Sequence, residues 1–270
     1  MSFPPLAGAC DCHFHIMDRK FPVVAGAQVP NLEAPVARYV PFAREIGTER
    51  GVIIQPSLYG TNNACTLAAL AALGGRGRAI VVIDEATPIA DLERWHALGV
   101  RGIRFNQVQA GATTMEMLHP LAERIAPLGW HVQLHMKARE LPAYAERLLS
   151  LPVPLVLDHM ARLALPDFAK DPGWEVVLRL LEKGRTWVKL SGPYHENRAG
   201  APEYDHAVAL GRDLVRRAEE RLLFGSDWPH VTESAPPAPE HVCRFLVACA
   251  ETPARMQRIL VNNPAALFGF

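Results

Sequence analysis

The chain has 270 residues, of which 49% are hydrophobic and 21% charged, so it can bury a large apolar core and disorder is excluded. Lys plus Arg and Asp plus Glu each number 28, and this neutral balance argues against nucleic acid or an anionic membrane surface as the main partner. No apolar run is long enough to predict a membrane span, and the N-terminus lacks the pattern of a secretory signal.

Eight short apolar runs recur along the chain, each followed by a polar or glycine-containing turn and a longer segment. They cover 9–16, 51–57, 79–84, 102–106, 131–136, 154–159, 187–192 and 222–227. Several are continuously apolar, as in parallel strands that are buried on both faces. Helical spacing of apolar residues is found between them, in 91–98, 115–126, 141–149 and 174–182. The pattern predicts one domain over residues 1–270, an α/β (β/α)8 TIM barrel, with a doubly wound open sheet as the competing arrangement.

Polar side chains concentrate at one end of these runs. The residues concerned are His15, Gln55, Ser57, Asp84, Arg104, Asn106, His135, His159, Ser191 and Asp227. Barrel enzymes place their catalytic groups at the C-terminal ends of the strands, so this distribution predicts an active site there. A non-catalytic binding role is disfavoured, because it would not explain why His and Asp residues stand at several separate strand ends.

The first strand carries the sharpest local pattern, the stretch Asp11-Cys12-His13-Phe14-His15. Alternate residues of a strand share a face, so His13 and His15 are expected to project into the barrel mouth, while Cys12 points away and serves packing. Two imidazoles on one face form half of a metal site or a pair of polarising donors. The His13–His15 pair taken alone has a competing interpretation, in which both imidazoles only form hydrogen bonds with the backbone and have no role in chemistry.

Later strand ends supply matching groups. His135 lies near the end of the fifth strand, Asp158 and His159 end the sixth, and Asp227 ends the eighth. Six stretches occur in this order: GACDCHFH, RGIRFN, VLDHMAR, KLSGPY, FGSDWPH and ILVNNPAALFGF. With them the chain resembles the amidohydrolase superfamily, and within it the branch of 2-pyrone-4,6-dicarboxylate lactonase and sugar-acid lactonases. The resemblance extends over nearly the whole chain.

The resemblance implies hydrolytic opening of a small carboxylic or sugar-acid lactone. His13, His15 and His159 would polarise the lactone carbonyl. Asp227 would act as general base toward water and then pass the proton to the leaving oxygen. Related barrels imply two alternatives, metal-dependent decarboxylation of an aromatic acid and isomerisation of a sugar-acid lactone.

The resemblance does not decide whether the protein binds a metal cofactor. The pyrone dicarboxylate lactonases work without one and have a tyrosine where this chain has His135. Because the histidine is retained, one Zn²⁺ or Mn²⁺ could be held by His13, His15, His135 and Asp227. Strand four ends without the lysine or glutamate that bridges two metals in other members, which argues against a binuclear site.

Substrate contacts are expected at strand ends and in loops. Arg104 could grip a substrate carboxylate, or it could be tied to a neighbouring acid as an ion pair of the barrel. His230, in the DWPH segment, is interpreted as a neighbour that orients Asp227 or contacts substrate. The remaining expected contacts are Ser57, Tyr59, Asn106 and His195.

Where the dicarboxylate lactonases have further arginines after strands four and seven, this chain has Ala110 and His195. Fewer guanidinium groups favour a monocarboxylate or a neutral sugar lactone over a dicarboxylate. The five cysteines are scattered, without a CxxC pair or a dense disulfide framework, which predicts a reducing cytoplasm. The oligomeric state is not fixed, and a homo-oligomer stays open.

Overall fold

The computed structural model describes residues 6–27, 30, 32–109, 111–196 and 204–270, and its strands form an eight-stranded parallel sheet in chain order. The strands are β1 (Cys10–Phe14), β2 (Arg50–Ile54), β3 (Gly77–Val81), β4 (Val100–Asn106), β5 (His131–His135), β6 (Leu155–Leu157), β7 (Thr186–Leu190) and β8 (Leu222–Phe224). The predicted (β/α)8 TIM barrel is confirmed, because the sheet curves round until β8 meets β1.

Helices surround the strands. They are α1 (Val36–Ile46), α2 (Ala64–Leu73), α3 (Ile89–Leu98), α4 (Leu118–Ile125), α5 (Ala145–Leu149), α6 (Trp174–Glu182), α7 (Asp205–Ala218), α8 (Pro239–Ala250), α9 (Pro253–Gln257) and α10 (Asn263–Phe268). Helix α6 shows why they form, since Val177, Leu180 and Leu181 recur at helical spacing and are buried against the barrel. In the part of the chain that the structure describes, no helix has the length and apolarity to cross a membrane.

Two apolar clusters stabilise the barrel. Side chains on the outer face of the strands pack against the helices. The alternate side chains form a smaller inner cluster that includes Cys10, Cys12, Val52, Ile54, Ile80, Val156, Trp187, Leu223 and Phe268. Because the inner cluster fills the N-terminal half of the barrel, polar side chains are left for the C-terminal half.

Strand β1 departs from simple alternation. Its register against β2 shifts between Asp11 and Phe14, as at a β-bulge. Cys12 is therefore a member of the inner cluster, although alternation with His13 placed it on the opposite face. It is fully buried, in agreement with a packing role.

The barrel closes at its C-terminal end through main-chain contacts between β1 and the segment after β8. Phe14 and Trp228 form a parallel bridge. The N–H of His15 donates to the carbonyl oxygen of Trp228 at 2.8 Å, and the N–H of Asp227 donates to that of His13 at 2.8 Å. Closure thus carries Asp227 to the two histidines of the first strand.

Candidate active site

One carboxylate oxygen lies at the centre of the barrel mouth. Oδ1 of Asp227 is 3.5 Å from Nε2 of His13, 3.7 Å from Nε2 of His15 and 3.9 Å from Nε2 of His159. All four side chains are buried. The structure therefore brings together the four residues that the sequence predicted as the catalytic group.

The second oxygen of Asp227 faces a different set of groups. Tyr194 donates its hydroxyl hydrogen to Oδ2 at 2.5 Å, and Nε2 of His195 lies 3.3 Å from the same oxygen. Nδ1 of His230 is 3.2 Å from the Tyr194 hydroxyl. His195 thus contacts Asp227 directly, and His230 reaches it through Tyr194, which was not among the predicted site residues.

Several of these residues occupy backbone conformations that most side chains avoid. Asp227 has a φ of 61°, and the four residues from His159 to Arg162 have φ between 51° and 57°. Such left-handed conformations cost about 1–2 kcal/mol per residue, and strain of this kind is concentrated at functional sites. A Cβ on Gly192 would lie 2.5 Å from Cδ2 of His195 and 2.9 Å from Nδ1 of His159, so only glycine fits between the two imidazoles.

The electrostatics favour an ionised aspartate among neutral imidazoles. Burial opposes the charge on Asp227, but the surrounding donors, His159 first and then His195, hold its pKa well below the ordinary value. Burial lowers the pKa of His15 to about 3 and that of His230 to about 4. Burial likewise lowers the pKa of His13 and His159, so at neutral pH the carboxylate of Asp227 faces neutral rings of His13, His15 and His159.

A buried lysine that the sequence analysis missed lies behind the cluster. Nζ of Lys189 is 3.0 Å from Nδ1 of His13, 2.6 Å from Oε1 of Gln133 and 3.0 Å from Oδ1 of Asp158. Burial lowers the pKa of Lys189, while the carboxylate of Asp158 opposes that shift. The signal available in the sequence was a single lysine inside the predicted apolar strand 187–192.

Arg104 belongs to the same buried layer. Its Nε lies 3.5 Å from Oδ2 of Asp158, and its Nη1 donates to the carbonyl oxygen of Gln55 at 3.3 Å. Of the two roles considered for Arg104, the ion pair with a neighbouring acid is therefore present in the structure. The wall of a cleft of about 240 Å³ includes Arg104, Ser57 and Asn106.

Within that cleft, Nδ2 of Asn106 donates to Oγ of Ser57 at 2.8 Å. Tyr59 is not part of its wall. The Tyr59 hydroxyl instead accepts the N–H of Asp18 at 3.0 Å and donates to the Asp18 carbonyl oxygen at 3.1 Å. Four residues after strands two and four were expected to contact substrate, and the structure places three of them at this cleft. The fourth, Tyr59, lies elsewhere, and its hydroxyl is bound by backbone groups of Asp18.

A third missed residue, Arg162, lies against His135. Its Nη1 is 2.9 Å from Nε2 of His135, and its Nε and Nη2 donate to Oε1 of Glu196 at 2.9 and 2.7 Å. The sequence signal was the arginine of VLDHMAR, whose approach depends on the left-handed turn. Ala110, the position compared with an arginine of the dicarboxylate lactonases, lies outside the described residues.

Three overlapping groups could offer metal ligands among the described residues. They are His13–His15–Asp227, His159–His195–Asp227 and His13–Asp158–His159, each with ligand atoms within 4.8 Å of one another. His135 is in none of them, so the structure assembles three members of the predicted ligand set and keeps the fourth beside Arg162.

The ring hydrogens decide how well these groups fit a divalent ion. A ligating histidine usually donates its other N–H to an acceptor. Nδ1 of His15 does so to the carbonyl oxygen of Ile54 at 2.9 Å, which leaves Nε2 free to bind. Nδ1 of His13 instead faces Lys189. His15 and Asp227 therefore fit an ion, whereas His13 fits one only if it gives up its contact with Lys189.

Known proteins share similarity along most of the chain. The amidohydrolase family model matches residues 10–270. The chain is 30% identical to 4-sulfomuconolactone hydrolase of Hydrogenophaga intermedia, over 98% of this chain and 89% of the relative. It is 30% identical to 2-pyrone-4,6-dicarboxylate hydrolase of Comamonas testosteroni, over 97% and 90%. It is 28% identical to D-galactarolactone isomerase of Agrobacterium fabrum, over 97% and 91%.

Solved structures agree with this relationship. An apo structure from Agrobacterium tumefaciens superimposes with a TM-score of 0.91 at 27% identity, covering 100% of this chain and 97% of that chain. A probable 2-pyrone-4,6-dicarboxylic acid hydrolase from Acinetobacter baumannii with bound citric acid gives a TM-score of 0.87 at 26% identity, covering 97% and 100%. Sequence and fold together show that the chain belongs to the amidohydrolase family of enzymes.

Proposed function

We propose that the protein hydrolyses a small lactone that carries one carboxylate. The observation that carries the proposal is the position of Oδ1 of Asp227 within 3.5–3.9 Å of Nε2 of three buried histidines. Such a site offers a base and fixed hydrogen-bond donors in one small volume. Relatives named as lactone hydrolases support ring opening as the reaction.

In the proposed reaction Asp227 takes one hydrogen of a water molecule, and the water oxygen attacks the lactone carbonyl carbon. The negative charge that develops on the carbonyl oxygen is stabilised by N–H groups of His13 and His159. The carbon–oxygen bond of the ring then breaks, and Asp227 returns its proton to the departing ring oxygen. The product is a hydroxy acid, and Asp227 regains its charge.

The hydrogen bond from His15 to Ile54 changes the role expected for that residue. Because Nδ1 of His15 donates to the Ile54 carbonyl oxygen, a neutral ring presents a lone pair at Nε2. We assign it the second hydrogen of the attacking water, so that Asp227 and His15 orient the water together. The carbonyl is left to His13 and His159.

Substrate binding would also strengthen the base. In the free protein, N–H donors stabilise the Asp227 carboxylate and lower its pKa. When His13 and His159 turn their hydrogens to the substrate carbonyl, that stabilisation weakens and the carboxylate takes a proton more readily. Base strength therefore rises when a carbonyl is in place.

We assign recognition of the substrate carboxylate to Arg162. Its guanidinium contacts Glu196, which is 28% exposed and can be exchanged for an incoming carboxylate. The guanidinium of Arg104 is buried against Asp158 and is less available. Of the two guanidinium groups described at the site, only that of Arg162 is paired with a partly exposed acid, which favours a substrate with one carboxylate.

A lactone isomerase is the second candidate, supported by the similarity to D-galactarolactone isomerase. The same base and donors could move the ring bond to a neighbouring hydroxyl without consuming water. A panel of carboxylated lactones, followed by proton release and by oxygen uptake from H₂¹⁸O, separates the two reactions. Hydrolysis places one labelled oxygen in the product, and isomerisation places none.

The metal-dependent decarboxylase remains a third candidate, which carbon dioxide release from aromatic acids would reveal. Loss of carbon dioxide with no turnover of any lactone would overturn the hydrolase proposal.

A further inference from the structure

We propose that Lys189 is a positioning residue that fixes the ring hydrogen of His13 on Nε2, so that this imidazole faces the mouth of the barrel as a hydrogen-bond donor. The use of that donor on a lactone carbonyl rests on the proposed function. The placement of the hydrogen does not, because it follows from contacts within the free protein.

The first step is the match between the ammonium group and its surroundings. A lysine ammonium has three hydrogens and no lone pair. Around Nζ of Lys189 lie Oε1 of Gln133 at 2.6 Å, Oδ1 of Asp158 at 3.0 Å and Nδ1 of His13 at 3.0 Å. The ammonium therefore donates hydrogen bonds to Gln133 and to Nδ1 of His13, and it forms an ion pair with Asp158, although it is fully buried.

The orientation of Gln133 agrees with this pattern. Its Nε2 lies 3.1 Å from Nε2 of His131, on the side away from the active site. The amide donates in that direction, so its oxygen is the atom turned to Lys189. The lysine is thus surrounded by acceptors, and it has a carboxylate as the partner of its charge.

The second step concerns the His13 ring. Since an ammonium cannot accept a hydrogen bond, Nδ1 of His13 must be the acceptor. A neutral imidazole carries one hydrogen, which then lies on Nε2. That atom is 3.5 Å from Oδ1 of Asp227 and 3.4 Å from Nε2 of His15, and both of these can accept it. The two histidines of the first strand therefore differ, one donating and the other accepting.

The third step is the alternative that Lys189 prevents. Oδ1 of Asp158 lies 3.4 Å from Nδ1 of His13 and could accept a hydrogen from it. The hydrogen would then leave Nε2 bare, which is the carboxylate–histidine arrangement that holds metal ions. Lys189 pairs its charge with Asp158 and donates to Nδ1 of His13, so it competes with Asp158 for that ring nitrogen. It thereby selects a donor over a metal ligand at the same position.

Charge balance favours the same state. The buried cations Lys189 and Arg104 face the buried carboxylates Asp158 and Asp227, so this inner group is neutral when the histidines are neutral. A divalent ion would add two positive charges to a balanced cluster. Removal of the lysine charge would make the cluster net negative and more receptive to a cation.

The decisive experiment observes the ring nitrogens directly. Protein labelled with ¹⁵N-histidine is studied by NMR without substrate, and the His13 signals are assigned from a His13→Gln variant. We expect the wild type to carry the hydrogen on Nε2. A wild-type His13 with its hydrogen on Nδ1 would overturn the proposal, whether or not any lactone is ever turned over.

Two variants complete the test. Lys189→Met keeps the unbranched chain, one atom shorter, and removes its donors. The His13 hydrogen should then move to Nδ1, and the affinity for Zn²⁺, measured by calorimetry, should rise by about 10–100-fold. Asp158→Asn keeps the lysine and should leave the hydrogen on Nε2. A folded Lys189→Met protein with unchanged ring signals and unchanged zinc affinity contradicts the proposal. If that variant does not fold, the wild-type and Asp158→Asn spectra decide.

Discussion

The main-chain N–H of Asp227 donates to the carbonyl oxygen of His13 at 2.8 Å, so the proposed base and the proposed donor are joined through the backbone where the barrel closes. Their relative position therefore depends on strand pairing and not on a flexible loop. Substitutions that alter only their side chains should leave this frame intact, and kinetic effects can then be assigned to the missing chemical group.

Asp227→Asn should reduce lactone turnover by roughly 10²–10⁴-fold, the usual contribution of general acid–base catalysis. The amide keeps the size of the side chain and much of its hydrogen bonding but cannot accept the proton of water. Steady-state kinetics on the best lactone of the panel measure the loss.

Asp84→Asn provides the matched control. Asp84 is also an aspartate that follows a barrel strand, but its Oδ1 accepts a hydrogen bond from Thr87 and it is not part of the histidine cluster. Its turnover should equal that of the wild type. A folded Asp227→Asn enzyme within a few-fold of wild type would remove Asp227 from the mechanism.

The apolar runs predicted all eight strands in the right order, but they placed several strand ends too far along the chain. All strands except the fourth and the fifth end two or three residues earlier than predicted. At these places the chain turns into the rim of the site, and Asp227 even adopts a positive φ. Apolar periodicity records burial, and the rim residues are buried without being in a strand.

The candidate site was predictable where a group stands at a strand end, as with His13, His159 and Asp227. It was not predictable where a contact depends on closure of the barrel. Lys189 and His13 are 176 residues apart in sequence, and no local pattern links them. Arg162 reaches His135 only because four consecutive residues adopt the left-handed conformation. None of the four is glycine, so the sequence gives no sign of this backbone turn.

Arg162→Met should raise KM for a carboxylated lactone by about 10- to 100-fold, the range expected for a lost charge-assisted hydrogen bond. The effect on kcat should be smaller, because the guanidinium is assigned to binding. Initial rates over a range of substrate concentrations separate the two constants.

A lactone without the carboxylate serves as the control for this substitution. Its KM should be nearly the same in the wild type and in Arg162→Met. An equal loss with both substrates would show that the arginine supports the structure of the site and does not read the carboxylate.

Removal of metal should leave turnover unchanged, because every step of the proposed reaction is carried by side chains of the protein. Activity is measured before and after dialysis against a chelator, with metal content determined in parallel. Activity that disappears with the ion and returns with Zn²⁺ or Mn²⁺ would require a metal-dependent mechanism.

The ligand groups also predict which histidine matters when Zn²⁺ is added. His15→Ala should weaken zinc binding, since Nε2 of His15 belongs to a group with Asp227. His135→Ala should stay within a few-fold of wild type, because that ring accepts a hydrogen bond from Arg162 instead. Competition with a chromophoric chelator gives both affinities, and the reverse order would restore His135 to the ligand set.

The last prediction uses His131, which lies at the N-terminal end of the barrel, away from the mouth, and whose pKa burial lowers to about 3. In the unfolded chain its pKa is about 6.5, so the unfolded state binds a proton first as the pH falls. The stability that comes from keeping His131 neutral is therefore present above pH ~6.5 and is lost progressively toward pH ~3. Between these limits one such histidine contributes a slope of about 1.4 kcal/mol per pH unit.

His131→Gln removes the titrating imidazole. The free energy of unfolding of this variant should therefore change with pH less steeply than that of the wild type, by about 1.4 kcal/mol per pH unit. Urea unfolding at several pH values between 4 and 7 measures the difference. His206→Gln is the control, because His206 is exposed on α7 and is hydrated in both states. Parallel pH curves for the wild type and His131→Gln would mean that His131 takes up its proton at the same pH in the folded and the unfolded chain. Below that pH the buried layer beneath the site would then hold one more positive charge than the contacts of Gln133 and Lys189 allow.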